Sequence, residues 1–213
     1  GTVYRLSPSG EFTTLYAFSF DYPSPSSPAG GVILDEAGNL YGTTTSGGNL
    51  GQGTVFMLDP SGKETTLFMF DGADGATPYG GLTRDGAGNL YGTTSLGGAG
   101  YGIVYKLDSS GVETVLYTFT GGADGGSPYS GVILDGKHNL YGAAGLGGGS
   151  YGVVYKLSPT GDETVLCTFP DFASGADPES RLVLDTQGNL YGTATYGGSK
   201  GGGIVFVLQN VAQ

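Results

Sequence analysis

A six-residue phrase opens the chain as Gly1-Thr2-Val3-Tyr4-Arg5-Leu6. It returns at 53–58, 102–107, 152–157 and 203–208, with spacings of 52, 49, 50 and 51 residues. A fixed period of this size marks a repeat architecture, in which each unit buries its apolar faces only by stacking on its neighbours. Two further phrases keep the same period. Asp35-Glu-Ala-Gly-Asn-Leu-Tyr-Gly42 recurs from Asp85, from Asp135 with His138 in place of the first glycine, and from Asp185. Thr14-Leu-Tyr-Ala-Phe18 recurs from Thr66, Val115 and Val165. The 213 residues therefore divide into units at about 1–52, 53–101, 102–151 and 152–202 with an extra strand at 203–208, and they read as one repeat domain over 1–213.

Each unit holds four short extended runs, A to D, typified by 31–34, 39–44, 53–58 and 64–70. None has the length or the 3.6-residue period of a helix, so the fold class is all-β. A and B are joined through Asp-x-x-Gly-Asn, and C and D through turns such as Pro60-Ser-Gly62, both short enough for hairpins with glycine at a positive-φ position. Alternation along strand C puts Thr54, Phe56 and Leu58 on one face and Val55 and Met57 on the other. The first face stays apolar in the sister strands, whereas the second carries Lys106 and Lys156. Such a sheet needs cover on both sides, and radial stacking of four-stranded sheets, the β-propeller, supplies it. Without its period, a chain with 44 glycines and 10 prolines would suggest disorder.

The runs comprise four each of A, B and D but five of C, starting at C-D and ending at A-B-C. This count predicts a four-bladed ring closed by an N-terminal strand in the last blade. The alternative is an arc of a larger or multi-chain propeller. The surplus strand at 203–208 carries neither charge nor proline, so it is expected to be paired, within the chain or by self-association.

Composition excludes several partners. With 8 Lys and Arg against 19 Asp and Glu, the net charge is -11, which opposes phosphate backbones and anionic membranes, so no nucleic-acid partner is expected. No apolar run is long enough to span a membrane, so no membrane insertion is expected. The sequence shows no signal peptide and no initiating methionine, which predicts a mature or excised piece. Few charges with abundant Ser, Thr, Gly and Tyr point to an extracellular or cell-surface setting. Cys167 is the sole cysteine and stands where sister units have Tyr16, Phe68 and Tyr117, which reads as an apolar filler.

Together the phrases Gly-Thr-Val-Phe, Glu-Thr-Thr-Leu-Phe-Met-Phe and Gly-Asn-Leu-Tyr-Gly-Thr-Thr, in that cyclic order, resemble the Gloeo/Verruco (GloVer) tandem repeat of bacterial surface and secreted proteins. The resemblance covers essentially the whole chain. More distantly, Pro-x-x-Gly-Leu followed by Asp-x-x-Gly-Asn-Leu-Tyr is similar to the blade phrase of NHL-type propellers. The resemblance implies a propeller and an extracellular setting, and it implies no reaction and no catalytic residue.

Candidate chemistry is sparse. His138, the only histidine, occupies a turn position and has no Cys or His partner for a metal or triad. Asp35, Asp85, Asp135 and Asp185 sit where an Asp side chain caps backbone N–H groups. The loops before strand A offer hard oxygen ligands at Asp71, Asp74, Asp124 and Asp177, which would suit calcium, though without EF-hand spacing, and turn chemistry is the competing reading. The B–C and D–A loops should share one face. That face would bring Tyr79, Tyr101, Tyr129, Tyr151 and Tyr196 beside Asn49, Asp74 and Asp124, a mixture that suits sugars unless the rings only stiffen the loops. The leading expectation is a non-catalytic extracellular module with a structural or protein-interaction role, not an enzyme and without cofactor, whose partner, a protein or a glycan, would meet it at the loop face. A lectin is the second reading and a carbohydrate-active enzyme the third.

Overall fold

In the computed structural model, which describes residues 1–149 and 151–211, eighteen strands form five antiparallel sheets, and no helix occurs among the described residues. Among the described residues no helix is therefore long and apolar enough to cross a membrane. The first sheet is a hairpin of β1 (Thr2–Leu6) and β2 (Phe12–Ala17). The second contains β3 (Ser26–Pro28), β4 (Ile33–Leu34), β5 (Leu40–Ser46), β6 (Thr54–Leu58) and β7 (Glu64–Met69). The third is β8 (Thr83–Arg84), β9 (Leu90–Thr94), β10 (Ile103–Leu107) and β11 (Glu113–Thr118). The fourth is β12 (Ile133–Leu134), β13 (Leu140–Ala144), β14 (Val153–Leu157) and β15 (Glu163–Thr168). The last holds β16 (Val183–Leu184), β17 (Leu190–Ala194) and β18 (Ile204–Leu208).

These strands follow the A to D runs, with strand A cut to two residues and β3 added from a Ser- and Pro-rich stretch that reads as loop in the sequence. Every C–D pair slips register after its second residue, between Val3 and Tyr4, Val55 and Phe56, Val104 and Tyr105, and Val154 and Tyr155. Such a bulge bends and twists the outer strand.

In the three complete sheets both faces of strand C are buried, as the alternation predicts. One face sends its aromatic ring back to the Phe that ends the preceding unit's third phrase: Phe18–Phe56, Phe70–Tyr105, Phe119–Tyr155 and Phe169–Phe206 meet edge to face, with centroids 5.1 to 5.3 Å apart. Each such pair adds about 0.5–1.5 kcal/mol beyond its burial. The glycine of Leu-Tyr-Gly makes room for that ring, since a Cβ on Gly142 would lie 2.3 Å from the Tyr155 hydroxyl oxygen. The opposite face sends Val55 into a cluster with Leu82, Ile103 and Tyr105 of the next unit.

The predicted N/C-terminal closure does not form. Among the described residues β18 pairs only with β17, and β1 only with β2. β18 already occupies the edge of β17 that β1 would need, and the edge left on β18 calls for a D strand, whereas β2 is held by β1. Three sheets carry all four runs, and the first and last carry two and three. Consistently, Val205 is 80% exposed where Val55, Val104 and Val154 are fully buried, and Tyr4 is 60% exposed where Tyr105 and Tyr155 are buried.

The A–B turns explain the repeated Asp, Asn and Tyr together. In the fourth sheet Asp135 Oδ1 accepts the N–H groups of Lys137 and Asn139 at 2.8 Å, while Oδ2 accepts Asn139 Nδ2 at 2.8 Å and Tyr141 Oη at 3.0 Å. The same four bonds recur from Asp35, Asp85 and Asp185. Hydrogen bonds from Asn39, with those from Tyr41 and Ala37, hold the Asp35 carboxyl down at about 2. His138 takes the left-handed conformation at φ 64°, where Gly38, Gly88 and Gly188 have φ of 86°, 88° and 83°. A Cβ is disfavoured there, so His138→Gly should leave stability unchanged or raise it by up to about 1 kcal/mol in thermal melting. A clear loss would reveal a role for the imidazole.

Two polar groups lie unpartnered where the second and third sheets meet. Tyr105 Oη and Glu113 Oε1 are buried without hydrogen bonds, while sister units place Phe56 and Phe206 at the tyrosine position. Tyr105→Phe should therefore stabilise the fold by about 1 kcal/mol, because it removes a desolvated hydroxyl without opening a cavity. A drop in melting temperature would show that this hydroxyl has a partner.

Burial, and then the charges of Asp74 and Asp71, push the Glu113 carboxyl up to about 7. The folded state thus holds this proton more tightly than the unfolded chain, so the contribution is complete below about 4.5 and is lost as pH rises through about 7. Glu113→Gln should flatten that loss and raise stability at pH 8 on the order of 1 kcal/mol, discounted for partial exposure. Unfolding curves at pH 5 and pH 8 check it, and an equal effect at both values would contradict it.

Candidate functional site

The D–A loops turn inward at a shared four-residue phrase: Pro28-Ala29-Gly30-Gly31, Pro78-Tyr79-Gly80-Gly81, Pro128-Tyr129-Ser130-Gly131 and Pro178-Glu179-Ser180-Arg181. The residue before each proline, Ser27, Thr77, Ser127 or Asp177, is left-handed at φ 50° to 60°. Neighbouring loops hold it there. Thr77, Ser127 and Asp177 donate their N–H to the carbonyls of Gln52, Tyr101 and Tyr151, while their own carbonyls accept from Ser95, Gly145 and Thr195. Strain of this kind persists only where surrounding bonds over-determine it.

Beyond the prolines the inner strands converge. A Cβ on Gly80 would lie 2.3 Å from the Gly131 nitrogen, so successive units touch backbone to backbone. Two adjoining recesses open at this axial mouth. One, of about 260 Å³, is lined among others by Tyr79, Tyr129, Ser130, Glu179 and Arg181. The other, of about 200 Å³, includes Ser127, Tyr129, Leu146, Asp177 and Glu179. The Tyr79 and Tyr129 rings are 43% and 39% exposed, with centroids 5.4 Å apart. Arg181 reaches from the last sheet to the third, where Nη2 donates to Thr83 Oγ1 at 2.9 Å, and Thr83 in turn donates to the Val132 carbonyl.

Among the described residues, no hydrogen bond or ion pair holds the carboxylates of Asp177 and Glu179. Burial, and then the nearby Asp177, raise the Glu179 carboxyl. Ser130 is 5% exposed, and its Oγ has no partner. The mouth therefore combines two aromatic rings, an uncommitted acceptor, a cationic donor and an unpaired hydroxyl.

Of the residues singled out in the sequence, the structure brings Tyr79 and Tyr129 together and disperses the rest. Tyr101 lies over the D–A loop that follows β11, where a Cβ on Gly121 would sit 2.4 Å from its ring. Tyr151 packs on the core cluster around Leu182, and Tyr196 stacks on Phe172 at 5.8 Å. The Asn49 carbonyl accepts the Tyr22 hydroxyl. Asp71 and Asp74 cap N–H groups of their own loop, and Asp124 accepts from Tyr117 Oη, Thr120 N, Thr120 Oγ1 and Gly122 N. No three His, Cys, Asp or Glu among the described residues are placed to hold a metal, so Asp71, Asp74, Asp124 and Asp177 do not form one calcium site.

Arg181 and Ser130 escape a reading that looks for chemistry shared between units. Their signal is a departure: Ser/Thr-Pro-Tyr-Gly/Ser-Gly in two units becomes Asp177-Pro-Glu179-Ser-Arg181 in the last.

Four-run sheets stacked face to face around converging inner strands define a β-propeller-type repeat protein. The chain belongs to the Gloeobacter/Verrucomicrobia repeat family, whose model matches residues 1–147 and 84–212. Solved structures share the fold at low identity. A gluconolactonase from Xanthomonas campestris aligns with a TM-score of 0.63 at 16% identity, over 98% of this chain and 65% of that one. A protein assigned as a gluconolactonase aligns at 0.58 and 21%, over 96% and 65%. The extracellular domain of BT4673 from B. thetaiotaomicron aligns at 0.57 and 15%, over 92% and 22%. The chain thus spans just under two thirds of the two gluconolactonases. No curated protein sequence matches it.

Proposed function

We propose that this chain is a non-catalytic, extracellular β-propeller module that binds a protein or glycan partner at the axial mouth of its loop face. One observation carries the reading: the exposed Tyr79–Tyr129 pair shares a recess with Glu179, whose carboxylate, unlike the repeated turn aspartates, is committed to no internal bond. Exposed aromatic rings with uncommitted polar groups are the elements of recognition surfaces. The extracellular setting draws on the composition and on the fold shared with the extracellular domain of BT4673.

A second reading, hydrolysis of a sugar lactone, is favoured by the raised Glu179 carboxyl in an axial recess and by the gluconolactonases among the structural neighbours. A carboxylate with a raised pKa is a candidate general base.

Peptide and glycan arrays, run beside an assay of glucono-lactone hydrolysis, test both. The binding module should capture a ligand, lose it in the Tyr79→Ala/Tyr129→Ala double variant, and leave lactone hydrolysis at the buffer rate. Turnover that disappears in Glu179→Gln would establish the second reading instead. A silent array would contradict the first.

A further inference from the structure

We infer that the axial recess takes the terminal residue of a neutral saccharide. This rests on the binding-module reading and deepens it. The 260 Å³ recess is small for an extended polymer and suits one sugar ring with its near substituents. Its lining has the two kinds of group that a sugar needs. The exposed faces of Tyr79 and Tyr129 accept the C–H surface of a pyranose ring.

Beside them, Glu179 is an acceptor-only carboxylate and Arg181 a donor-only guanidinium, two positions apart in the segment that leads into β16. A pair of neighbouring hydroxyls satisfies both at once, since each hydroxyl donates one hydrogen bond and accepts others. A lone charged ligand would satisfy one and repel the other. Ser130 adds a hydroxyl that the fold leaves without a partner although the residue is 95% buried, and such a group calls for a partner that the free protein does not supply.

The choice of a neutral ligand follows from the surrounding field. The chain carries a net charge of -11, and Asp177 lines the adjoining recess with Glu179, which disfavours an anionic sugar. The Arg181 guanidinium, fixed toward the axis by its bond to Thr83, offsets the Glu179 carboxylate beside it, which limits what a cationic sugar would gain there. The last repeat is the only one to carry charges at these inward positions, which read Ala29 and Gly31, Tyr79 and Gly81, and Tyr129 and Gly131 elsewhere. A single sugar site per chain is therefore expected, rather than one per blade.

The test titrates the whole chain with methyl glycosides and short oligosaccharides ending in glucose, galactose or mannose, with glucuronate and glucosamine as charged counterparts, by calorimetry. At least one neutral series should bind with about one site per chain. Glu179→Gln and Tyr129→Ala should each weaken it about tenfold or more while melting temperature stays at the wild-type value, because both residues are exposed. Binding confined to glucuronate or to glucosamine would overturn the inference, as would one site per blade. Binding of peptides but no saccharide at the mouth would overturn it and leave the module reading standing. No ligand of either class would overturn both.

Discussion

Gly131→Ala should cost about 3 kcal/mol of folding stability, the largest effect expected from adding a single methyl group to this chain. Its Cβ would stand 1.9 Å from the Gly81 carbonyl oxygen and 2.9 Å from the Gly81 carbonyl carbon, where no flexible side chain can give way. The segments leading into β8 and β12 would have to separate, and with them the mouth that holds Tyr79 and Tyr129. Gly31→Ala, at the matching position of the second sheet, meets nothing within 4 Å and should be nearly neutral. Urea unfolding of the two variants checks the pair. Equal midpoints would mean that the segments around Gly81 and Gly131 are not in backbone contact.

Asp85→Ala comes second, with an expected loss of about 3 kcal/mol. The residue is 8% exposed and accepts four hydrogen bonds, from Ala87 N, Asn89 N, Asn89 Nδ2 and Tyr91 Oη. Alanine would leave the hydroxyl of Tyr91, itself 9% exposed, and the Asn89 amide without this acceptor. Asp185→Ala removes the same four bonds, but Tyr191 is 40% exposed and water can replace the carboxylate, so the loss should be about half as large. Chemical unfolding of both variants tests the ranking. A larger loss at Asp185 would show that burial does not set the value of this turn.

Much of this was legible from the sequence because it is local and repeated. The Asp-x-x-Gly-Asn-Leu-Tyr turn needs only contacts within seven residues, and His138 betrays its positive φ by standing in a glycine position. Cover on both faces of strand C follows from the alternation of Phe56 and Val55. Closure was not legible, because it depends on which strand edges are already taken: β18 occupies the edge of β17 that β1 would need. The loop tyrosines fall at three different repeat positions, after the D–A proline, at the end of the B–C loop and, for Tyr196, where sister units have Leu96 and Leu146, and they differ in what neighbouring loops leave open. Tyr79 and Tyr129 line the axial recess, whereas Tyr101 and Tyr196 pack on the adjacent D–A loops at Gly121 and Phe172. Arg181 escapes such a reading because periodicity draws attention to what repeats, and its signal is a break in the repeat.

The claim that the axial mouth is the ligand surface can be tested most directly by mapping backbone amide shifts by NMR while titrating the ligand captured on the arrays. The account predicts saturable shifts confined to residues 77–81, 127–131 and 177–183, with the C–D turns around Asp59 and Asp108 unmoved. Shifts centred on those C–D turns, or spread along the outer strands β7, β11 and β15, would contradict it.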